Sequence, residues 1–137
     1  MIDIRTVTHQ RSTLYKYVRE FIKPSDAAEM ISAALRADVG VFTAASFDER
    51  GINGAISWSN PDDDTIRIHS LGSLVSPCGT DLMRYVLNKM VCERRKAVSV
   101  GAMVTAVGFY ERFGFVAEPE QTSKSIIEMA VRLKPPG

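Results

Sequence analysis

Chemistry in this sequence can be sought first at the run Val75-Ser76-Pro77-Cys78-Gly79-Thr80-Asp81, which separates a strand pattern from a helix pattern. A helix N-terminus leaves N–H groups without partners and carries partial positive charge, so such a junction suits a phosphate. Any strand-to-helix turn also needs a turn residue and a cap, so Gly79 and Thr80 fit either purpose. His69 brings a side chain that titrates near neutral pH and can take a proton. Cys78, close to the helix start, would be an acidic thiol. No acid is placed to orient a Cys78–His69 pair, which sets a cysteine hydrolase aside. Cys92 lies 14 residues beyond Cys78, or ~21 Å along a continuous helix, too far for a disulfide. Both cysteines read as reduced, and no group of His, Cys, Asp or Glu has metal-ligand spacing.

Composition narrows the function classes. The 137 residues carry 17 Lys+Arg against 16 Asp+Glu, a formal charge of +1, with 45% hydrophobic and 24% charged residues. These are the proportions of one ordinary globular domain, residues 1–137, large enough to stand without a disulfide or structural metal. Near-neutral charge argues against a nucleic-acid partner bound through many phosphates. The densest charge run, Glu93-Arg94-Arg95-Lys96, reads as a solvated helix end whose cations complement the dipole. No apolar run approaches a membrane span and the N-terminus has no signal-peptide layout, so no membrane contact and a cytosolic setting are expected.

The elements that must position these residues follow from periodicity. Ile2, Ile4 and Val7 alternate as a short strand. Leu14, Val18, Phe21 and Ile22 have helical spacing up to Pro24, and Ser25 with Asp26 can cap a second helix carrying Met30, Ile31, Ala34 and Leu35. Residues 41–47, 54–59 and 65–75 then read as an antiparallel meander. In its last strand, Ile66, Ile68, Ser70, Gly72 and Leu74 fall on one face, and Arg67, His69, Leu71, Ser73 and Val75 on the other. Gly72 marks a bulge or a close backbone approach. Leu82, Met83, Val86, Leu87, Met90 and Val91 make an amphipathic helix. A strand at 97–101, a short helix at 105–112 stopped by Gly114, and a final strand at 125–133 complete the order β-α-α-β-β-β-α-β-α-β. The fold class is α/β (α+β): a mixed, mostly antiparallel sheet with helices on both faces.

The segment Ala106-Val107-Gly108-Phe109-Tyr110-Glu111-Arg112-Phe113-Gly114-Phe115 resembles the A-x-x-F-Y-E-x-x-G-F segment of the GNAT superfamily of acyl-CoA-dependent N-acetyltransferases, and the element order over essentially the whole chain is that family's. In the family, a Q/R-x-x-G-x-G/A motif at the equivalent strand-to-helix junction holds the CoA pyrophosphate on backbone amides. Gly79-Thr80-Asp81-Leu82-Met83 matches its second half. Its first half departs: Leu74 stands for the Gln or Arg, Pro77 for the first glycine, and Met103 replaces an Asn common before the second segment. Pro77 removes one donor, and Asp81 sets a carboxylate near the incoming pyrophosphate.

The resemblance implies acetyl-CoA as co-substrate, with no metal, held by Ser73, Leu74, Val75, Ser76, Cys78, Gly79, Thr80, Asp81 and Phe109. Backbone N–H groups of Ser73-Leu74-Val75 would bind pantetheine and polarise the thioester carbonyl, within a cleft where meander strands part from their parallel neighbour. Tyr110 matches the tyrosine that protonates the departing thiolate in many members, a role suited to a phenol with pKa near 10. Relatives often carry a carboxylate as base on the strand that here offers Arg67, His69 and Ser70. His69 is the candidate base, beside a water relay to solvent. The acceptor is expected to be a small-molecule or peptide amine, attacked directly, and homodimers are common in the family. The alternative is a non-catalytic domain of the same fold that binds acyl-CoA or a protein partner, which the imperfect phosphate motif favours.

Overall fold

The computed structural model describes residues 3–36, 38–75 and 78–133. In chain order the elements are β1 (Asp3–Thr6), α1 (Arg11–Phe21), α2 (Asp26–Ala34), β2 (Val41–Asp48), β3 (Gly51–Ser59), β4 (Thr65–Ser73), α3 (Cys78–Cys92), β5 (Ala97–Met103), α4 (Val107–Glu111), β6 (Val116–Ala117) and β7 (Ile126–Arg132). The strands form one seven-stranded sheet ordered β1-β2-β3-β4-β5-β7-β6. β4 and β5 run parallel and the other neighbouring strands antiparallel. The expected mixed, mostly antiparallel sheet is therefore the observed one. No helix among the described residues is long and apolar enough to cross a membrane.

Local sequence accounts for the helices. Ser25 caps α2 from an extended conformation, its Oγ accepting the Ala28 N–H at 3.0 Å, which satisfies one of the donors a helix start leaves over. α1 ends at Phe21, three residues before Pro24. Phe21 does not join the core expected of it: it is 65% exposed and packs on Tyr17, one turn back, at 5.1 Å between ring centres. Leu82, Met83, Val86 and Met90 of α3 are buried against Ile56, Trp58, Ile66, Ile68, Val98 and Val100 of the sheet. Truncating Leu82 to alanine would leave a cavity costing about 2 to 5 kcal/mol. On the other face, α1 and α2 cover Ala45, Ile52 and Ala55 through Val18, Ile31, Ala34 and Leu35. The short strand β6, pairing Val116 with Ala130, is absent from the sequence pattern because two exposed residues carry no alternation.

One irregularity decides where the site lies. Ser57 pairs with Ser70, but its neighbour Trp58 pairs with Ile68, so His69 is the extra residue of a β-bulge in β4. The bulge exchanges the two faces of the strand downstream. Leu71 and Ser73, opposite Ile56 and Gly54, therefore share the α3 side with Ile66 and Ile68. The expectation that Leu71 and Ser73 share a face with Arg67 is corrected accordingly, while His69, hydrogen-bonded to Ser59 opposite Arg67, keeps to the Arg67 side. Gly72 is not the bulge but the close approach: a Cβ there would lie 2.6 Å from the Ile31 backbone nitrogen of α2. The parallel pairing of β4 with β5 stops at Ile68 and Val100, one residue before the bulge, and the two strands separate from that point.

Candidate functional site

Where β4 leaves β5, a cavity of about 200 Å³ opens on the α3 side, lined by Leu71, Ser73, Gly79, Ala106, Phe109 and Tyr110. Four elements meet there: the downstream half of β4, the first turn of α3, the 3-10 turn Val104–Ala106, and α4. Gly79 faces Ser73 and Phe109 directly. A Cβ on it would lie 3.2 Å from Ser73 Oγ and 3.8 Å from the Phe109 ring, so its missing side chain keeps the helix start open to the cavity. Gly79, Thr80 and Asp81 occupy the first turn of α3, where N–H groups have no partner one turn back. The Cys78 N–H is engaged by the Val75 carbonyl at 3.1 Å.

Tyr110 is 7% exposed and sits edge-on between Phe109 and Phe115, with ring centres 5.2 and 5.5 Å away. Its hydroxyl makes no side-chain hydrogen bond to another described residue, while its ring lines the cavity. Burial among these rings pushes the phenol up to about 12, because the charged form cannot be solvated there. Tyr110 is thus protonated at neutral pH and lines the cavity beside the split.

Other expected site residues take different places. The Leu74 N–H, expected to face a ligand, is spent on the Asn53 carbonyl at 2.8 Å. Because successive strand N–H groups point to opposite edges, that of Ser73 turns towards the split. Leu74 and Val75 expose their side chains. Asp81 lines a separate depression with Arg84, Tyr85 and Asn88, so its carboxylate is turned away from the Tyr110 cavity. Ser76 and Pro77 lie outside the described residues.

Cys78 corrects the expectation of an acidic thiol. Its side chain is completely buried, with Sγ 2.8 Å from Ser46 Oγ and 3.3 Å from Asn53 Oδ1. Burial raises its pKa, and the negative charges of Asp81 and Asp48 add to that. His69 is exposed at the bulge, its Nε2 2.7 Å from Ser59 Oγ, and is not part of the cavity lining. Partial burial, then the Arg67 charge, holds its pKa below the usual histidine value, so the imidazole is neutral at pH 7. The structure brings Ser73, Gly79, Phe109 and Tyr110 together and leaves His69 exposed at the bulge, turned to Ser59 of β3.

Residues 77–131 match the family model described as an acetyltransferase (GNAT) domain. By this match the chain resembles the GNAT superfamily. Its fold is shared over nearly its whole length with solved GNAT structures. Against the Campylobacter jejuni N-acetyltransferase PseH in complex with acetyl coenzyme A, the TM-score is 0.69 at 14% identity, covering 98% of this chain and 100% of that one. The PaiA N-acetyltransferase from Thermoplasma acidophilum, in complex with coenzyme A, gives 0.70 at 15% identity over 97% and 99%. The Escherichia coli ribosomal-protein-S18-alanine N-acetyltransferase gives 0.70 at 12% identity over 100% and 97%. No curated protein sequence matches this chain. Identities this low establish the GNAT fold, while the chemistry rests on this chain's own residues.

Neither Asn53 nor Leu71 is a site residue on sequence grounds. Leu71 becomes legible only once the bulge has turned it inward. Asn53 belongs to no motif, and nothing local marks it.

Proposed function

We propose that this chain is an N-acetyltransferase that moves an acetyl group from acetyl-CoA to a primary amine of a small molecule or peptide. The observation that carries this reading is the cavity in the β4–β5 split, where Gly79 keeps the α3 start open and the buried Tyr110 contributes to the lining. The cradle fits CoA: filling Gly79 with a side chain would close it against Ser73 and Phe109. Bound acetyl-CoA would supply an activated thioester carbonyl. The first-turn N–H groups of Gly79, Thr80 and Asp81 would hold its pyrophosphate, and the Ser73 N–H would polarise its carbonyl.

Tyr110 would donate the proton that the leaving thiolate needs. A phenol at about 12 is protonated at neutral pH and so has the proton to give. His69, neutral and exposed at the bulge, would pass the amine's proton to solvent through water. Direct attack by the amine requires no covalent enzyme intermediate.

The test is release of free thiol from acetyl-CoA in the presence of a panel of primary amines. Amine-dependent release supports the reading. Saturable CoA binding with no release from any amine overturns catalysis and leaves a binding domain.

A further inference from the structure

The turn between β2 and β3 holds a carboxylate with two separate engagements. Asp48 pairs with Gly51 across the turn, and its Oδ1 accepts the Arg50 N–H at 2.8 Å, the local bond by which an aspartate closes a tight turn. Its Oδ2 accepts a second hydrogen bond, from Asn53 Nδ2 at 3.1 Å. An ionised carboxylate can only accept, so Asp48 fixes which end of the Asn53 amide faces it. The carbonyl end is thereby turned to two donors on the other side: Asn53 Oδ1 lies 2.5 Å from the Ser46 hydroxyl and 3.3 Å from the Cys78 thiol. The Arg50 bond alone would close the turn. The second bond, to a buried amide whose far end holds the α3 start, does not concern the turn.

Ser46, Asn53 and Cys78 are all buried, so solvent does not stand in for a lost partner among them. The thiol also has a fitted seat. A Cβ on Gly54 would overlap Cys78 Sγ and lie 2.9 Å from Ser46 Oγ, so the first side chain of α3 occupies the space that a β3 side chain would fill. Cys78 is followed directly by Gly79, whose bare backbone opens on the cavity. A line of contacts therefore runs from the turn to the helix start: Asp48, Asn53, Cys78, Gly79. The Arg50 N–H, then the Asn53 amide, hold the Asp48 carboxyl below the usual carboxylate range, so it is ionised at neutral pH.

Resting on the acetyl-transfer reading, we propose that Asp48 is a positioning residue for CoA: acting through the Asn53 amide, it holds Cys78, and with it the first turn of α3, where the Gly79, Thr80 and Asp81 N–H groups receive the pyrophosphate. Asp48 itself touches no substrate. Without its carboxylate the Asn53 amide is free to turn over. A reversed amide sets N–H groups against the Ser46 hydroxyl and the Cys78 thiol in place of the oxygen that both donors share. The hydroxyl can rotate and accept, whereas the thiol loses its side-chain acceptor and the helix start its anchor.

The experiment is a double-mutant cycle on the full chain, Asp48→Ser and Asn53→Ala alone and together, read by calorimetry with CoA and by the NMR amide signals of Gly79 and Thr80. Serine can still close the turn through its hydroxyl but is too short to reach Asn53, so Asp48→Ser isolates the second bond and keeps the fold. It is expected to weaken CoA about tenfold, to shift the Gly79 and Thr80 signals of the free protein, and to add nothing once Asn53 is alanine, because residues that act through one another are not additive. Undiminished CoA affinity in Asp48→Ser, or losses that add up in the double variant, would overturn the proposal, as would a loss confined to melting temperature. Failure of the wild type to bind CoA would sink the transferase reading instead. The Gly79 and Thr80 signals of free Asp48→Ser would then still decide the line of contacts, unmoved signals refuting it.

Discussion

Asn53 holds Cys78 from two atoms: the Cys78 thiol lies 3.3 Å from Asn53 Oδ1 and 3.6 Å from its backbone oxygen. That same backbone oxygen accepts the Leu74 N–H at 2.8 Å. One residue of β3 thus fixes both the end of β4 and the start of α3, the two sides of the Gly79 cradle. Asn53 reaches them because it is itself a bulge residue. Ser46 pairs with Gly54 and Phe47 with Ile52, leaving Asn53 over. Its remaining groups are satisfied too, Oδ1 by Ser46 Oγ at 2.5 Å and Nδ2 by Asp48 at 3.1 Å.

Asn53→Ala should therefore loosen the cradle more than the fold. Unpairing Ser46 and Cys78 costs about 1 to 3 kcal/mol of stability. The specific expectation is a KM for acetyl-CoA raised about tenfold, equivalent to about 1.4 kcal/mol, with kcat at saturating acetyl-CoA nearly unchanged. A loss confined to melting temperature would reduce Asn53 to a core residue.

Gly79→Glu should abolish CoA binding in a folded protein. The new side chain would start 3.2 Å from Ser73 Oγ and 3.8 Å from Phe109, filling the cavity mouth, and its charge would meet the pyrophosphate at the helix start. Calorimetry with circular dichroism on the same sample checks this. Undiminished affinity in a folded variant would move the phosphate site elsewhere.

The two cysteines should differ sharply in reactivity. Cys92 is exposed and Cys78 buried, and the Cys78 thiol is raised by burial, which starves it of the reactive thiolate. Iodoacetamide at pH 8 followed by mass spectrometry should show one label on native protein, on the Cys92 peptide, and two after unfolding. Rapid native labelling of Cys78 would contradict the buried Ser46–Asn53–Cys78 cluster.

Much of this arrangement was legible in the sequence, and the remainder fails for a common reason. The apolar spacing of α3, the alternation of the meander and the Phe109-Tyr110 segment are local signals, so the fold class, the Gly79 junction and Tyr110 follow from them. The bulge at His69 is invisible because Ser70, Gly72 and Ser73 are small enough to suit either face, and Leu71 and Leu74 fall on opposite faces of a regular strand, so the apolar residues past 69 favour neither side. The face assignment downstream therefore came out reversed. The Arg67–Glu128 pair joins residues 61 apart, and only the pairing of β5 with both β4 and β7 brings them together. The buried thiol of Cys78 is not legible either, since proximity to a helix start says nothing about which way its side chain turns.

Tyr110→Phe should lower kcat with little change in acetyl-CoA affinity, as it keeps the packing against Phe109 and Phe115 and removes only the hydroxyl. General acid catalysis is worth about 10²- to 10⁴-fold, and water entering the cavity would soften the loss towards about tenfold. An unchanged kcat with an acceptor that turns over would remove Tyr110 from the mechanism.

The same tyrosine should give the fold an alkaline limit. Burial raises Tyr110 from 10 to about 12, so between those pH values the unfolded chain has released a proton that the folded chain still holds. The unfolded state then binds fewer protons, and stability falls as pH rises. The contribution is fully present below pH 10 and is lost progressively up to about 12, amounting to about 2 to 3 kcal/mol for a shift of about two units. Tyr110→Phe has no such proton to lose, so its urea midpoint should decline less steeply than that of the wild type over this window. The other three tyrosines are common to both proteins and cancel in the difference. Parallel curves for wild type and variant from pH 9 to 11.5 would show that the Tyr110 hydroxyl is solvated in the folded protein, which would also undercut its role as a sequestered proton donor.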